Sequence, residues 1–304
     1  MIQIGLLSAI LGEMTFEDVI SFASECGFRG VEVCAWPRGA SDRRYGGVTH
    51  IDLDDPLRGD LQNYVRVASQ KGITLTSLAY YPNPLSGIPA EAELAQSHIK
   101  RLIQAAAELG IGMVTTFIGK NQNLTVEENL INFEKVWNPI ISLAENKQVR
   151  VATENCPMYF TRDEWPGGKN LASSPELISE IFRRIPSNYL GLNYDPSHLR
   201  LMQADYIQPI YNFANKIFHV HLKDIRIYPD KLNQYGAFSY PTLWHAPKIP
   251  GMGDLSFGSI ISALHDVGFE GYACIEIEDK TFEKDIQTII QGIRQSYAHL
   301  RQYI

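Results

Sequence analysis

Short runs of β-branched, aromatic and other apolar residues alternate along the chain with longer segments in which apolar residues recur at helical spacing. In the first unit, residues 3–8 predict a strand, and residues 16–26 predict a helix that begins after Thr15 and ends at Gly27. The alternation then repeats. It predicts strands at 30–35, 74–81, 113–119, 149–155, 189–195, 217–224 and 272–279, and helices after Pro56, at 91–109, 125–145, 174–184, 204–214 and 258–267, and from Phe282.

Eight strand–helix units indicate a barrel, because alternating strands and helices form parallel sheets and eight units are the number that closes one. The 304 residues fit this fold, since such barrels commonly reach about 250 residues or more as one domain. An open doubly wound sheet is the alternative, but the first strand lacks a G-x-G-x-x-G turn and no change of composition divides the chain. We predict an α/β protein with a single (β/α)8 TIM barrel over residues 1–304, with a long loop at 225–257 after the seventh strand.

Composition and charge limit the classes of molecule that the protein is expected to bind. Hydrophobic residues make up 45% and charged residues 20% of the chain, which is enough apolar material for one large core. Asp and Glu total 34 against 27 Lys and Arg, and the net charge of -7 has the wrong sign for nucleic-acid binding. The four cysteines are scattered, and no apolar run predicts a signal peptide or a membrane span. We expect a cytoplasmic protein that binds neither nucleic acid nor a membrane.

Ionisable residues are concentrated at the ends of four consecutive predicted strands, the fifth to the eighth. In a barrel the active site lies at this carboxyl end of the strands. Side chains alternate between the two faces of a strand, so the apolar neighbours face the helices and the ionisable residues face inward. The residues that this alternation sends inward are Glu154, Asp195, His221 and Glu276.

Three carboxylates and an imidazole that converge on one point repel one another unless a cation lies between them. This donor set suits Mn²⁺, Mg²⁺ or Co²⁺, with Zn²⁺ as an alternative, and we therefore predict one divalent metal ion. Taken singly, each acid could instead form an ion pair that caps the barrel. Glu278 shares the orientation of Glu276 and could replace it as a ligand. His219 lies one layer deeper and is predicted to fill the core.

Other residues near the predicted mouth are candidates for substrate binding. Lys223 and Arg226 follow the histidine strand, where a cation can stabilise an enediolate oxygen, and simple solvation is the alternative for both. Glu32 points inward on the second strand, where a carboxylate needs a hydroxyl or cationic partner. Aromatic residues that follow strands or lie in long loops can wall a sugar pocket or simply pack. These aromatic residues are Trp36, Tyr80, Tyr81, Trp165 and Trp244.

Five motifs carry a family resemblance: TEN at 153–155, DPSH at 195–198, HVHLKD at 219–224, PGMGDLSF at 250–257 and GYACIEIED at 271–279. The chain resembles the xylose isomerase-like TIM barrel superfamily of sugar phosphate isomerases and epimerases, related to ketose 3-epimerases, inosose dehydratase and endonuclease IV. The similarity covers essentially the whole chain. It implies that Glu154, Asp195, His221 and Glu276 hold the metal and that His198 faces the substrate. The trinuclear zinc site of endonuclease IV is not expected, because no Asp-x-His follows His221.

The predicted activity is proton abstraction next to a carbonyl, in a metal-dependent isomerase or epimerase of a keto-sugar or polyol. Glu154 and Glu276 would be the acid/base pair around an enediolate. A metal-dependent dehydratase or lyase of a keto-sugar or keto-inositol is the alternative, with His198 or His245 as the acid. A non-catalytic sugar-binding barrel is a third hypothesis, and a phosphodiesterase acting on DNA is disfavoured by the charge. We expect a small carbohydrate as partner, and the 225–257 loop leaves a homo-oligomer open.

Overall fold

The strands predicted by the alternating pattern all form, and helices connect them. This computed structural model describes residues 1–39, 45–54, 60–158 and 168–304. Its strands are β1 (Ile2–Leu7), β2 (Gly30–Cys34), β3 (Thr74–Ala79), β4 (Met113–Thr116), β5 (Arg150–Glu154), β6 (Leu190–Tyr194), β7 (Ile217–Leu222), β8 (Asp224–Ile227), β9 (His245–Lys248) and β10 (Gly271–Ile275). Its α-helices are α1 (Phe16–Cys26), α2 (Gln62–Gln70), α3 (Pro89–Leu109), α4 (Val126–Lys147), α5 (Pro175–Arg184), α6 (Pro196–Leu201), α7 (Gln208–Asn212), α8 (Pro229–Tyr235), α9 (Phe257–Asp266) and α10 (Ile286–Leu300).

Eight of the strands close into a barrel in the order β1, β10, β7, β6, β5, β4, β3 and β2, with β2 next to β1. Every neighbouring pair in this barrel is parallel. The predicted (β/α)8 barrel is therefore confirmed. Because all eight strands run the same way, their carboxyl ends meet at one mouth, and the residues that end β5, β6, β7 and β10 lie on adjacent parts of its rim.

Local signals in the sequence set the helix ends. Thr15 caps α1, since its hydroxyl accepts the N–H of Asp18, and Gly27 ends this helix with a left-handed φ of 91°. Thr125 and Glu128 form a reciprocal capping box at the start of α4. The apolar faces of these helices pack on the outside of the barrel in one continuous core. Among the described residues, no helix combines the length and the apolar character needed to cross a membrane.

The segment 225–257 is more ordered than the loop that the sequence predicted. β8 and β9 pair antiparallel as a separate two-stranded sheet, with α8 between them. Each strand has only four residues and β9 contains Pro247, so no clear alternation marks them in the sequence. We call β8, α8 and β9 together the rim hairpin.

Two helix predictions need correction, and one short helix was not predicted. The segment 204–214 forms only the short α7 and a following 3-10 turn, while α6 begins directly after Asp195. The unpredicted helix α6 is capped by Asp195, whose carboxylate accepts the N–H of Ser197. The last helix begins at Ile286, after a 3-10 turn at Lys280–Phe282. Pro56 lies outside the described residues, and α2 is described from Gln62.

Candidate metal centre and active site

Four side chains converge at the carboxyl ends of neighbouring strands. Glu154 ends β5, Asp195 follows β6, His221 lies near the end of β7, and Glu276 follows β10. His221 Nδ1 is 3.2 Å from Glu154 Oε1 and 3.3 Å from Glu276 Oε2. One donor atom from each of the four residues lies within 4.8 Å of the others. The structure therefore brings together the set that the alternation of side chains predicted, and we call it the four-residue cluster.

The donor atoms of the four-residue cluster fit a divalent cation. Asp195 Oδ2 and Glu276 Oε2 are buried, and although Lys223 Nζ forms ion pairs with them at 3.2 Å and 2.8 Å, neither contact has the angles of a hydrogen bond. One ammonium shared between two buried carboxylates leaves lone pairs on these oxygens unsatisfied, and a metal ion that accepts those lone pairs would remove the cost. Three carboxylates and one imidazole are a donor set that Mn²⁺, Mg²⁺, Co²⁺ and Zn²⁺ accept. The residues present are thus compatible with the predicted metal.

A fourth carboxylate, that of Glu32, binds the other ring nitrogen of His221. His221 Nε2 is 2.8 Å from Glu32 Oε2, and Glu32 Oε1 accepts hydrogen bonds from Tyr81 (2.5 Å) and Thr115 (2.6 Å). When Nε2 carries the proton and donates it to Glu32, the Nδ1 lone pair points at the four-residue cluster. Burial alone would raise the pKa of Glu32, but the imidazoles of His221 and His219 outweigh it and lower the pKa to about 2. Glu32 is therefore an anion that orients the imidazole.

This position does not fit the expectation that Glu32 contacts substrate, because its side chain has no exposed surface. Alternation correctly sent Glu32 inward but carried no information on its depth. Sequence reasoning assigned no role to Thr115 and treated Tyr81 only as a wall residue. His219 is also deeply buried, with Nδ1 3.0 Å from Asn193 Oδ1, in the interior position that was predicted for it.

Lys223 brings a buried positive charge to the four-residue cluster. Its Nζ is 2.8 Å from Glu276 Oε2, 3.2 Å from Asp195 Oδ2 and 3.0 Å from Glu278 Oε2. Burial would lower the pKa of Lys223, but the carboxylates of Glu276, Glu278 and Asp195 raise it well above its ordinary value. Lys223 is thus an ammonium ion, and Glu278 lies on its far side as an ion-pair partner.

His198 lies between the four-residue cluster and the mouth. It sits on α6, with Nε2 3.2 Å from Asp195 Oδ2 and 3.4 Å from Glu154 Oε1. Burial would lower the pKa of His198, but Cys156 and Asp195 raise it well above its ordinary value. Cys156, which follows the TEN motif, was not assigned a role from the sequence, although its place just after β5 put it at the mouth.

A cavity of about 1280 Å³ opens at the mouth, and His198, Lys223 and Glu278 are among the residues that line it. Trp36 also lines it, with its ring centroid 4.8 Å from that of Tyr80 in an edge-to-face contact. His245 of the rim hairpin contributes as well. Of the remaining aromatic candidates, Trp244 is buried, and Trp165 lies outside the described residues.

Arg226 is not brought to this cavity. Its side chain is 48% exposed, and its Nε lies 3.8 Å from Asp254 Oδ1. The alternation of side chains along β8 is the reason, because Ile225 lines the cavity and is buried whereas Arg226 points to the opposite, exposed face of the strand. The alternative that the sequence left open for Arg226, a solvated position, agrees with this exposure.

A parallel eight-stranded barrel with a carboxylate and imidazole centre at its mouth defines a class of α/β-barrel proteins. Within that class, a family model described as "Xylose isomerase-like TIM barrel" matches residues 20–303, and the chain belongs to this family. The resemblance deduced from the five motifs is confirmed.

The individual proteins that the chain resembles share only a low sequence identity with it. The chain is 26% identical to protein YfiH of Bacillus subtilis, over 95% of this chain and 97% of that protein. It is 23% identical to an inosose dehydratase of Geobacillus thermodenitrificans, over 88% of this chain and 83% of that enzyme. Among solved structures, the IolI protein with a bound zinc atom superimposes with a TM-score of 0.73 at 17% identity, covering 99% of both chains. D-psicose 3-epimerase of Clostridium cellulolyticum gives a TM-score of 0.70 at 14% identity and 99% coverage of both chains.

Proposed function

We propose that this protein is a divalent-metal-dependent isomerase or epimerase that moves a proton next to the carbonyl of a keto-sugar or polyol. One observation supports this most directly. Glu154 and Glu276 reach His221 Nδ1 from the ends of two different strands, at 3.2 Å and 3.3 Å, so the centre holds two carboxylates that could act as a base and an acid. The likeness to an epimerase structure agrees with the proposal.

Glu154, Asp195, His221 and Glu276 would hold the cation. A bound divalent cation would supply Lewis acidity, which polarises a carbonyl and makes the neighbouring C–H more acidic. Mn²⁺, Mg²⁺ or Co²⁺ suits the oxygen-rich donor set, and the zinc in the IolI structure keeps Zn²⁺ as an alternative.

The chain's own residues would carry the proton. One of Glu154 and Glu276 removes it from carbon, and the other returns it on the opposite face, which inverts that carbon. Burial would raise the pKa of Glu154, but His221, His198 and Lys223 hold it well below its ordinary value. The carboxylate is therefore ionised and ready to accept a proton. Lys223 and His198 face the cavity as cationic groups that can orient and stabilise substrate oxygens, and Trp36 offers an apolar wall.

Exchange of solvent deuterium into a keto-sugar tests this proposal. We expect Glu154→Gln and Glu276→Gln each to slow exchange by about a hundredfold or more, the usual contribution of a general base or acid. The matched control is Glu91→Gln, because Glu91 lines the cavity and its carboxylate is bonded to Ser86. Metal content is measured in every variant. Full exchange in a metal-loaded Glu154→Gln protein would overturn the proposal.

A dehydratase or lyase is the second candidate, and the position of His198 favours it. Elimination also begins with removal of the proton next to the carbonyl, but the C–O bond then breaks and the leaving oxygen needs a proton. His198 is buried, with its pKa held above the ordinary value, so it can supply that proton. His245 is the alternative acid. An unsaturated keto product in place of an epimer would decide for this reaction. Binding of sugar without any deuterium exchange would instead indicate a non-catalytic barrel.

A further inference from the structure

The cavity beside the four-residue cluster is larger than the reacting sugar requires. Its volume is about 1280 Å³, whereas pockets that hold drug-sized ligands typically measure about 300–1,000 Å³. His198 and Lys223 line it, and both lie 3.2 Å from Asp195 Oδ2. The reacting group of a substrate therefore belongs at this inner end. The rest of the cavity extends beyond it.

The wall formed by the start of α3 is apolar and exposed. Ile88 precedes this helix and Leu94 lies in its second turn, and both line the cavity. Their exposed fractions are 56% and 54%, among the highest for large apolar side chains in the described residues. A single exposed apolar residue is ordinary on a protein surface, but two on one concave wall are a surface that a ligand can bury.

Trp36 connects this wall with the metal centre. It lines both the large cavity and a small pocket that Glu154 and Glu276 also line. Its ring meets Tyr80 edge to face, and Tyr80 also lines the large cavity. A molecule can thus extend from the four-residue cluster, past an aromatic surface, to Ile88 and Leu94.

We propose that the substrate is a keto-glycoside, in which a sugar ring that carries a carbonyl reacts at the four-residue cluster and an apolar aglycone on its anomeric carbon packs against Ile88 and Leu94. The placement of the ring rests on the proposed function. The aglycone is an addition that the outer wall supports, because contact with an apolar group removes exposed apolar surface from water.

Calorimetric titration of the Mn²⁺-loaded full chain tests whether an apolar aglycone contacts Ile88 and Leu94. The probes are methyl and phenyl β-glycosides of glucose, galactose and xylose, which lack the carbonyl and so bind without reacting. Within each pair they differ only in the size of the apolar group. For the sugar that binds best, we expect the phenyl glycoside to bind about tenfold more tightly, because burial of a phenyl ring contributes favourably. The double substitution Ile88→Asn with Leu94→Ser should remove most of this preference.

Ile131→Asn is the matched control, since Ile131 is 57% exposed on α4 and is not among the residues that line the cavity. It should keep the full preference. Equal affinity for the two glycosides of each pair, no measurable binding of any phenyl glycoside, or a preference unchanged by the double substitution would overturn the proposal. A double substitution that alters the sedimentation of the protein but not the preference would assign this wall to contact between copies of the chain.

The two proposals can fail separately. Glu154-dependent deuterium exchange into free keto-sugars, with no preference for phenyl glycosides, overturns only the aglycone. A strong preference for phenyl glycosides without exchange into any keto-sugar or keto-glycoside overturns only the proposed reaction.

Discussion

The imidazole of His221 is fixed by Glu32, whose Oε2 lies 2.8 Å from His221 Nε2 on the side opposite the four-residue cluster. A carboxylate in this position sets the tautomer of a metal-binding histidine and increases its basicity. Tyr81 and Thr115 hold the carboxylate in turn. The donor strength of the centre thus depends on a residue that substrate does not reach.

Substitution of Glu32 should therefore weaken metal binding. We expect Glu32→Leu to reduce affinity for Mn²⁺ or Zn²⁺ by about 10- to 100-fold, as for other partners of metal-binding histidines. Glu32→Gln should lose less, because its amide oxygen can still accept from Nε2. Competition with a chelating dye measures this directly. Thr115→Val serves as comparison and should have a smaller effect, since one hydroxyl still holds Glu32. Unchanged affinity in Glu32→Leu would contradict the assignment.

Removal of the charge on Lys223 should have the opposite effect on metal affinity. The ammonium lies 2.8 Å from Glu276 Oε2, so it repels any cation that approaches the same oxygen. We expect Lys223→Met to bind Mn²⁺ about tenfold more tightly and to bind sugar more weakly. The control is Lys248→Met, whose ammonium pairs with Asp279 at 3.2 Å, and its metal affinity should not change. Weaker metal binding in Lys223→Met would show that the ammonium supports the centre.

Stability should fall in mild acid because of buried neutral histidines. Burial lowers the pKa of His98 below its usual 6.5, while Nε2 donates to the carbonyl of Ala35 at 2.8 Å. Below pH 6.5 the unfolded chain takes up a proton that the folded chain does not. The free energy of unfolding therefore decreases as pH falls, by up to about 1.4 kcal/mol per pH unit for each such histidine.

Urea unfolding at pH 7.5, 6.5 and 5.5 measures this slope. His98→Gln should be less stable at every pH but should show a shallower decline, because glutamine does not titrate. The exposed His265 provides the control, and His265→Gln should leave the slope unchanged. Identical slopes in His98→Gln and the unmodified protein would contradict the prediction.

Gly253 is required by the way the chain returns from the rim hairpin. Asp224 accepts the N–H groups of Gly251 at 3.0 Å, Gly253 at 2.8 Å and Leu255 at 3.1 Å. A Cβ at position 253 would overlap Asp224 Oδ1 and the carbonyl of Ile225. We expect Gly253→Ala to cost about 1–3 kcal/mol of stability, as overpacking usually does.

Urea unfolding and limited proteolysis within 224–257 test this expectation, since the substitution should also make that segment easier to cleave. Gly112→Ala is the control, because nothing lies within 4 Å of a Cβ there. A Gly253→Ala protein with normal stability and normal cleavage would show that the turn adjusts to a side chain.

The sequence predicted the barrel and the four-residue cluster for the same reason. The two-residue period of a strand assigns each side chain to a face, and parallel strands place their ends at one rim. Glu154 and His221, 67 positions apart, could therefore be predicted to meet. The same period carries no information on depth, so Glu32 could not be distinguished from a residue that faces the mouth.

The rim hairpin could not be predicted from the sequence, for a different reason. β8 and β9 pair residues such as Ile227 and His245 through short strands whose partners no local pattern specifies. Arg226 was consequently expected to face the substrate, whereas it lies on the exposed face of β8. Lys223 was expected near the substrate, but its position among three carboxylates depends on distances that a sequence does not contain.

The rim hairpin is attached through Asp224 and Asp279, which follow His221 and Glu276 by three positions each. Asp224 binds backbone at 251–255, and Asp279 binds Lys248 and the N–H of Ile249. The attachment points are thus separate from the ligands themselves. The rim hairpin, which lines the cavity, can therefore change in sequence without altering the four-residue cluster.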